Sequence, residues 1–156
     1  MNTPASIAKH PVHPMLIVFP IGLWVFSFIA DLVFLASGNP AWDSAAFYTL
    51  IGGLVGALLA AVPGFLDFLS IEQSRTRVVA LTHMTINLCV VALYAINLWL
   101  RTRTPPLVVL PVILSGASVV LLAVSGWLGG ELVYLHGMAV DTEAMSAERR
   151  DRRRAA

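Results

Sequence analysis

Four apolar runs, each near the roughly 20 residues that a helix needs to cross the hydrocarbon core of a bilayer, take up most of this chain. They cover Met15–Ala36, Ala45–Leu69, Val78–Leu100 and Leu107–Gly130. Backbone in lipid has no water to bond with, so each run must satisfy its own N–H and C=O groups, which an α-helix does. The breaks SGNPAWD, SIEQSRTR and RTRTP are short, and short connections make consecutive helices antiparallel neighbours. The expected fold is all-α: an integral membrane four-helix up-down-up-down bundle over residues 1–137, with a short cytosolic C-terminal tail over 138–156. The first run exceeds the 7–15 apolar residues typical of a signal peptide, and three more follow, so it is expected to stay as a helix.

Composition agrees. The chain is 58% hydrophobic and 12% charged, against about 45–50% and about 25% in soluble domains. In water it would expose a large apolar surface, and its 156 residues leave no room for a separate soluble catalytic module. It carries no GxSxG, phosphate-binding loop, dinucleotide fingerprint, HExxH or paired-cysteine metal motif. The single cysteine, Cys89, lies in an apolar run and reads as a small packing residue with an inert thiol.

Charge placement suggests an orientation. Lys9, Arg75 and Arg77 flank one face, with Arg149, Arg150, Arg152, Arg153 and Arg154 of the tail; the other face has Arg101 and Arg103. Basic residues near span ends favour the cytoplasmic side, so a bacterial inner-membrane protein with both termini cytoplasmic is expected. The RRDRRR run either holds anionic headgroups, at about 1 kcal/mol per basic residue near the surface, or is a solvated end.

Gly52, Gly56, Ala60 and Gly64 recur every four residues on the second span, and Gly126 and Gly130 repeat the device on the fourth. Small residues at this spacing let helices approach closely in lipid; packing within the bundle is preferred to a dimer face. Pro20 and Pro63 lie inside spans and should kink them.

The informative asymmetry is chemical. With alternating helices, all four histidines fall at one membrane face: His10 and His13 in HPVHP before the first span, His83 near the start of the third, and His136 after the fourth. Asp67 and Glu72 close the second span on that side and Glu131 closes the fourth, whereas the other end offers mainly Asp31 and Asp43. His83 falls between the hydrocarbon boundary and roughly 7 Å inside it, where an ionisable group is costly unless paired, wet or bound. Asn87, Tyr94 and Asn97 continue a polar stripe from His83 that should face the bundle interior.

Neutral imidazoles beside carboxylates are what a transition metal or haem iron takes as ligands, and four-helix bundles hold such centres between facing helices. His13 with His83 is the first pairing, because both lie near one plane; His10 and His136 are further ligand candidates for haem or metal. His136 would need the chain to fold back at Gly137. Plain structural alternatives stand beside each. HPVHP starts a helix, with His13 as cap and Pro14 at the first helical position; His83 is merely hydrogen-bonded; Asp67 pairs with Arg75 or Arg77; Glu131 ends its helix in water.

The segments HPVHPMLIVFPIGLWVFSFIADL, PGFLDF, RVVALTHMTIN and GWLGGELVYLHG, in this order, resemble the bacterial family catalogued as domain of unknown function 2231, over nearly all of the chain up to about Gly137. The resemblance implies a four-helix inner-membrane protein without an established activity. Some relatives are fused to Rieske iron–sulfur or c-type cytochrome domains, which implies a redox setting and tilts the centre towards haem b. The positions that carry over are His10, His13, Asp67, His83, Glu131 and His136.

Three functional expectations follow. The leading one is an electron-transfer protein, not an enzyme in its own right, holding haem b or a transition metal through His13 and His83. Asp67 and Glu131 would orient the imidazoles, and a separate Rieske- or cytochrome-like partner would exchange electrons. The second is a non-redox structural or assembly subunit that docks a partner through its polar cytoplasmic end. The third is a proton or ion path along His83, Asn87, Tyr94 and Asn97, ranked last because no transporter-like repeat or broken helix pair is evident. Apart from the lipid bilayer, a homo-oligomer is compatible with the sequence, and no nucleic-acid partner is expected.

Overall fold

The computed structural model describes residues 4–8, 10–104 and 107–140; Lys9 and the tail arginines lie outside them. A two-residue antiparallel pairing, β1 (Ser6–Ile7) with β2 (His10–Pro11), precedes the helices α1 (Val12–Leu16), α2 (Val18–Ser37), α3 (Pro40–Leu69), α4 (Ser74–Arg101) and α5 (Val109–Tyr134). With α1 and α2 forming one span, four helices are long and apolar enough to cross a membrane. The fold is an all-α four-helix membrane bundle, and the short β pairing is its one addition to the expected architecture.

The helices run further than the apolar runs because backbone in the interfacial zone still gains from internal hydrogen bonds. Two residues suffice between α2 and α3. Gly38, at φ 65°, ends α2 and donates its N–H to Phe34 O, and Asn39 caps α3 by accepting the Ala41 N–H at 3.0 Å, with Pro40 in the first helical position. These are the stop and start signals of ordinary helices, so Ala41–Ala45 belongs to α3 rather than to a loop. At the N-terminus Pro11 is the cap and helix starts at Val12, so His13 is not a cap but the second helical residue. Pro20 has no N–H for Leu16 O, and α1 and α2 part at Ile17. Pro63, by contrast, sits inside a continuous α3.

Contacts between α2 and α3 run in opposite sequence order: Ser27 Oγ donates to Ala46 O, Trp24 Nε1 to Leu50 O, and His13 Nδ1 to Ala60 O. Those between α4 and α5 do the same, with Asn97 on Pro111 and Ser115 and His83 on Ser125. The core between the two hairpins is Trp24, Leu50, Val90, Tyr94 and Leu122, with the Trp24 and Tyr94 rings stacked at 4.3 Å.

The glycine stripe of α3 works within the bundle. A Cβ on Gly52 would meet Leu23 at 3.2 Å, one on Gly56 would meet Pro20 at 3.2 Å, and Gly53 lies directly under the Trp24 indole. On α5 the expected pair Gly126 and Gly130 faces open space, and the glycines in contact are Gly116, against Phe28, and Gly129, against His83. Cys89 is likewise exposed rather than packed. These outward positions share their face with residues such as Val120, Leu88 and Trp127, an apolar exterior that lipid covers.

Candidate functional site

The histidine end is built twice by one device. His13 Nδ1 lies 2.8 Å from Ala60 O, and its ring fills the notch at Gly64, where a Cβ would approach Nδ1 to 2.6 Å. His83 Nδ1 lies 2.9 Å from Ser125 O, and its ring covers Gly129, where a Cβ would come within 3.3 Å. In each case a histidine on the first helix of a hairpin meets a carbonyl on the second, with a glycine four residues after that carbonyl. Pro63 helps in α3: it offers no N–H to Leu59 O and opens the turn beside the Ala60 carbonyl.

A carbonyl only accepts, so both rings donate from Nδ1, the Ser125 hydroxyl also lying 3.0 Å from His83 Nδ1; in the neutral form of each ring Nε2 then presents a lone pair. Asn87 Nδ2 donates to His83 Nε2 at 3.1 Å and to His83 O at 3.0 Å. His13 Nε2 has no hydrogen-bond partner among the described residues. Asp31 bonds Arg101, 70 residues on, and Trp24 stacks on Tyr94 at the same offset; the sequence separation of His13 and His83 is also 70.

The other two histidines have different company. His10 is exposed, with Nδ1 donating to Ala8 O at 2.9 Å in its own turn. His136 returns to α4 because Gly137, at φ 63°, turns the chain back and buries Met138 against Ile71 and Ala80. Its Nδ1 lies 2.9 Å from Thr76 Oγ1 and its Nε2 lies 3.8 Å from Glu131. Glu131 thus stands beside an imidazole as expected. Asp67 makes no ion pair with Arg75 or Arg77 among the described residues; it accepts the Ala5 N–H at 3.1 Å and ties the N-terminal segment to α3. Arg77 donates to Ile71 O and lies over the Phe68 ring. No group of three or more His, Cys, Asp or Glu side chains able to hold a metal ion occurs among the described residues.

Sequence reasoning missed a second polar cluster, at the opposite end. Asp31, almost wholly buried, accepts from Arg101 Nη2 at 2.6 Å and from Ser115 Oγ at 3.2 Å. Arg101 Nε donates to Asn97 Oδ1 at 2.9 Å, and Asn97 Nδ2 donates to Pro111 O and Ser115 Oγ. The polar stripe of α4 does face inward, with Tyr94 and Asn97 fully buried, but its far half serves this cluster. A carboxylate inside an apolar run was the available signal, since charge at that depth requires a partner.

Four helices of membrane-spanning length, two imidazoles each bonded to a backbone carbonyl at one end and a buried ion pair at the other define a multi-pass membrane protein of the helical-bundle class. A family model described as a predicted membrane protein, domain of unknown function 2231, matches residues 9–142, and the chain belongs to that family. No curated protein and no solved structure matches it.

Proposed function

We propose that the His13–His83 pair is a ligand site for haem b and that the protein serves electron transfer in the bacterial inner membrane. The observation that carries this reading is the ring chemistry: both imidazoles are pinned through Nδ1–H to backbone carbonyls, leaving Nε2 on each as the donor. Ligating histidines are oriented in this way, by giving their other N–H to a carbonyl or carboxylate. The donor set fits an iron porphyrin, which brings four nitrogens of its own and asks the protein for two imidazoles. It suits a bare transition-metal ion less well, because such an ion needs three or four protein ligands and no such group occurs among the described residues.

Haem would supply a one-electron couple there, tuned by the residues that hold it and their hydrogen bonds. His13 and His83 would hold it, Asn87, which donates to His83 Nε2, would release that nitrogen, and Asp67 would help to orient His13. A Rieske- or cytochrome-like partner would exchange the electron. The reading puts the site on the cytoplasmic side: Arg75 and Arg77 flank it, whereas at the other end Arg101 is paired with Asp31 and Arg103 lies over the Trp99 ring. This supports the charge bias that favours cytoplasmic termini.

The test is a visible spectrum of protein purified in detergent from haem-replete cells. A low-spin haem spectrum in the wild type, lost in both His13→Ala and His83→Ala, is expected; a colourless wild type defeats the reading. The packing of both rings into glycine notches favours the rival, a structural or assembly subunit whose histidines clamp helices. It expects unchanged cofactor content in both variants and altered co-purification of a partner.

A further inference from the structure

We propose that the opposite end of the bundle binds a phospholipid with a primary-ammonium headgroup, an ethanolamine lipid, through Asp43 and Arg101. A cavity of about 330 Å³ opens there, lined by Asp31, Asp43, Arg101, Phe47, Tyr48 and Val112 among others. That is at the small end of ligand pockets, which run from about 300 Å³. Its charges do not balance within the protein, since two carboxylates face one guanidinium.

Asp31 is already used, held by Arg101 Nη2 and Ser115 Oγ. Asp43 is not: its side chain is 56% exposed, and its ion-pair partner, Arg101 Nη1, stands 3.7 Å away, too far for a hydrogen bond. Arg101 has the reverse vacancy. Its side chain is only 8% exposed, its Nε and Nη2 are bonded to Asn97 and Asp31, and Nη1 has no hydrogen-bond acceptor among the described residues. Asp43 thus lacks a hydrogen-bond donor and Arg101 Nη1 lacks a hydrogen-bond acceptor among the described residues, with 3.7 Å between them. An ethanolamine phosphate supplies both: an ammonium for Asp43 and a phosphate oxygen for Arg101 Nη1.

Placement agrees with a lipid source. Asp43 lies in the first turn of α3, a 30-residue helix about 45 Å long against a hydrocarbon core of about 30 Å, so it sits at headgroup level. The cavity wall of Leu107, Val108 and Val112 continues into the exposed apolar face, where acyl chains run. Choline lipids differ at one decisive atom, because a quaternary ammonium has no N–H to give to a carboxylate.

The experiment is native mass spectrometry of the whole protein exchanged into an equal mixture of ethanolamine, choline and glycerol phospholipids. Wild type is expected to retain the ethanolamine lipid over the choline lipid by about tenfold, the worth of one charge-assisted hydrogen bond. Asp43→Asn is expected to retain the two equally while unfolding at the same temperature as wild type in choline lipid, so that lost preference is not lost folding. Equal retention by wild type, or a preference that survives Asp43→Asn, overturns the proposal. Free phosphoethanolamine has the same head without chains; if it displaces the bound lipid at equal concentration, the lipid assignment fails.

Discussion

The two ends of this bundle solve one electrostatic problem in opposite ways. Between His83 and Arg101, α4 rises about 27 Å, so both polar layers lie near the edges of the hydrocarbon core. At the histidine end the groups are imidazole rings, each bonded through Nδ1 to a backbone carbonyl and seated over a glycine. At the other end the groups are charged, and they are paired and then enclosed by Asn97 and Ser115. A neutral ring can leave one nitrogen unused at little cost, which is what a ligand site requires. A buried charge cannot be left unpaired, so Arg101 is tied to Asp31, and the spare bonding capacity lies at the rim, on Asp43 and Arg101 Nη1. The contrast separates a candidate cofactor site from a structural lock with a headgroup-level cavity beside it.

The comparison can be broken by substitution, and the largest effect is expected at the ion pair. Arg101→Met strands the Asp31 carboxylate and should cost about 3–5 kcal/mol, read as a lower midpoint in detergent-denaturant unfolding. Adding Asp31→Asn to Arg101→Met should recover a large part of that loss. If the double variant is no better than the single, the cost does not come from an uncompensated charge.

The glycine notches come next. Gly64→Ala places a methyl group 2.6 Å from His13 Nδ1 and should cost about 1–3 kcal/mol by overpacking. Gly126→Ala, which faces open space, should stay within about 0.5 kcal/mol of wild type. Similar values for the two would mean that His13 is not seated in its notch. If haem is bound, Gly64→Ala should also lower haem occupancy while Gly126→Ala leaves it unchanged, which the ratio of haem to protein absorbance reads.

Smaller still is Asn87→Ala, which removes two hydrogen bonds to His83, at Nε2 and at the backbone carbonyl, of which the carbonyl can be satisfied within the helix, and should cost about 0.5–1.5 kcal/mol. Because haem would take over that lone pair, the variant should keep or raise haem occupancy; a loss of haem would make Asn87 part of the site. His10→Ala, at an exposed ring bonded within its own turn, should change stability by less than about 0.5 kcal/mol. A large effect there would place His10 in the site with His13 and His83.

Legibility differs with the range of the physics. The four spans, the close-packed α3 stripe and the inward polar face of α4 were readable because hydropathy and helical periodicity are local. The start of α3 was missed: the expected span begins at Ala45 because SGNPAWD reads as a polar break, whereas Asn39 caps a helix that starts at Pro40. The choice between Gly126 or Gly130 and Gly129 was not readable, since one residue rotates a position by about 100° and only the neighbouring helix says which side faces in. His10 and His136 were grouped with His13 and His83 by membrane side alone. Their hydrogen bonds to Ala8 and Thr76 depend on a two-residue β pairing and on the turn at Gly137, both set by contacts outside the helices.

By itself, then, the sequence determined the solvent of this protein: apolar runs of spanning length have no stable home but lipid, and within lipid no form but helix. Tertiary structure alone decided which polar groups meet. Asp31 finds Arg101 and Trp24 stacks on Tyr94 across 70 residues of chain, a match governed by the rotation and register of helices against each other. Hydropathy carries no record of either, because it measures how each residue is solvated and not which neighbour it turns to.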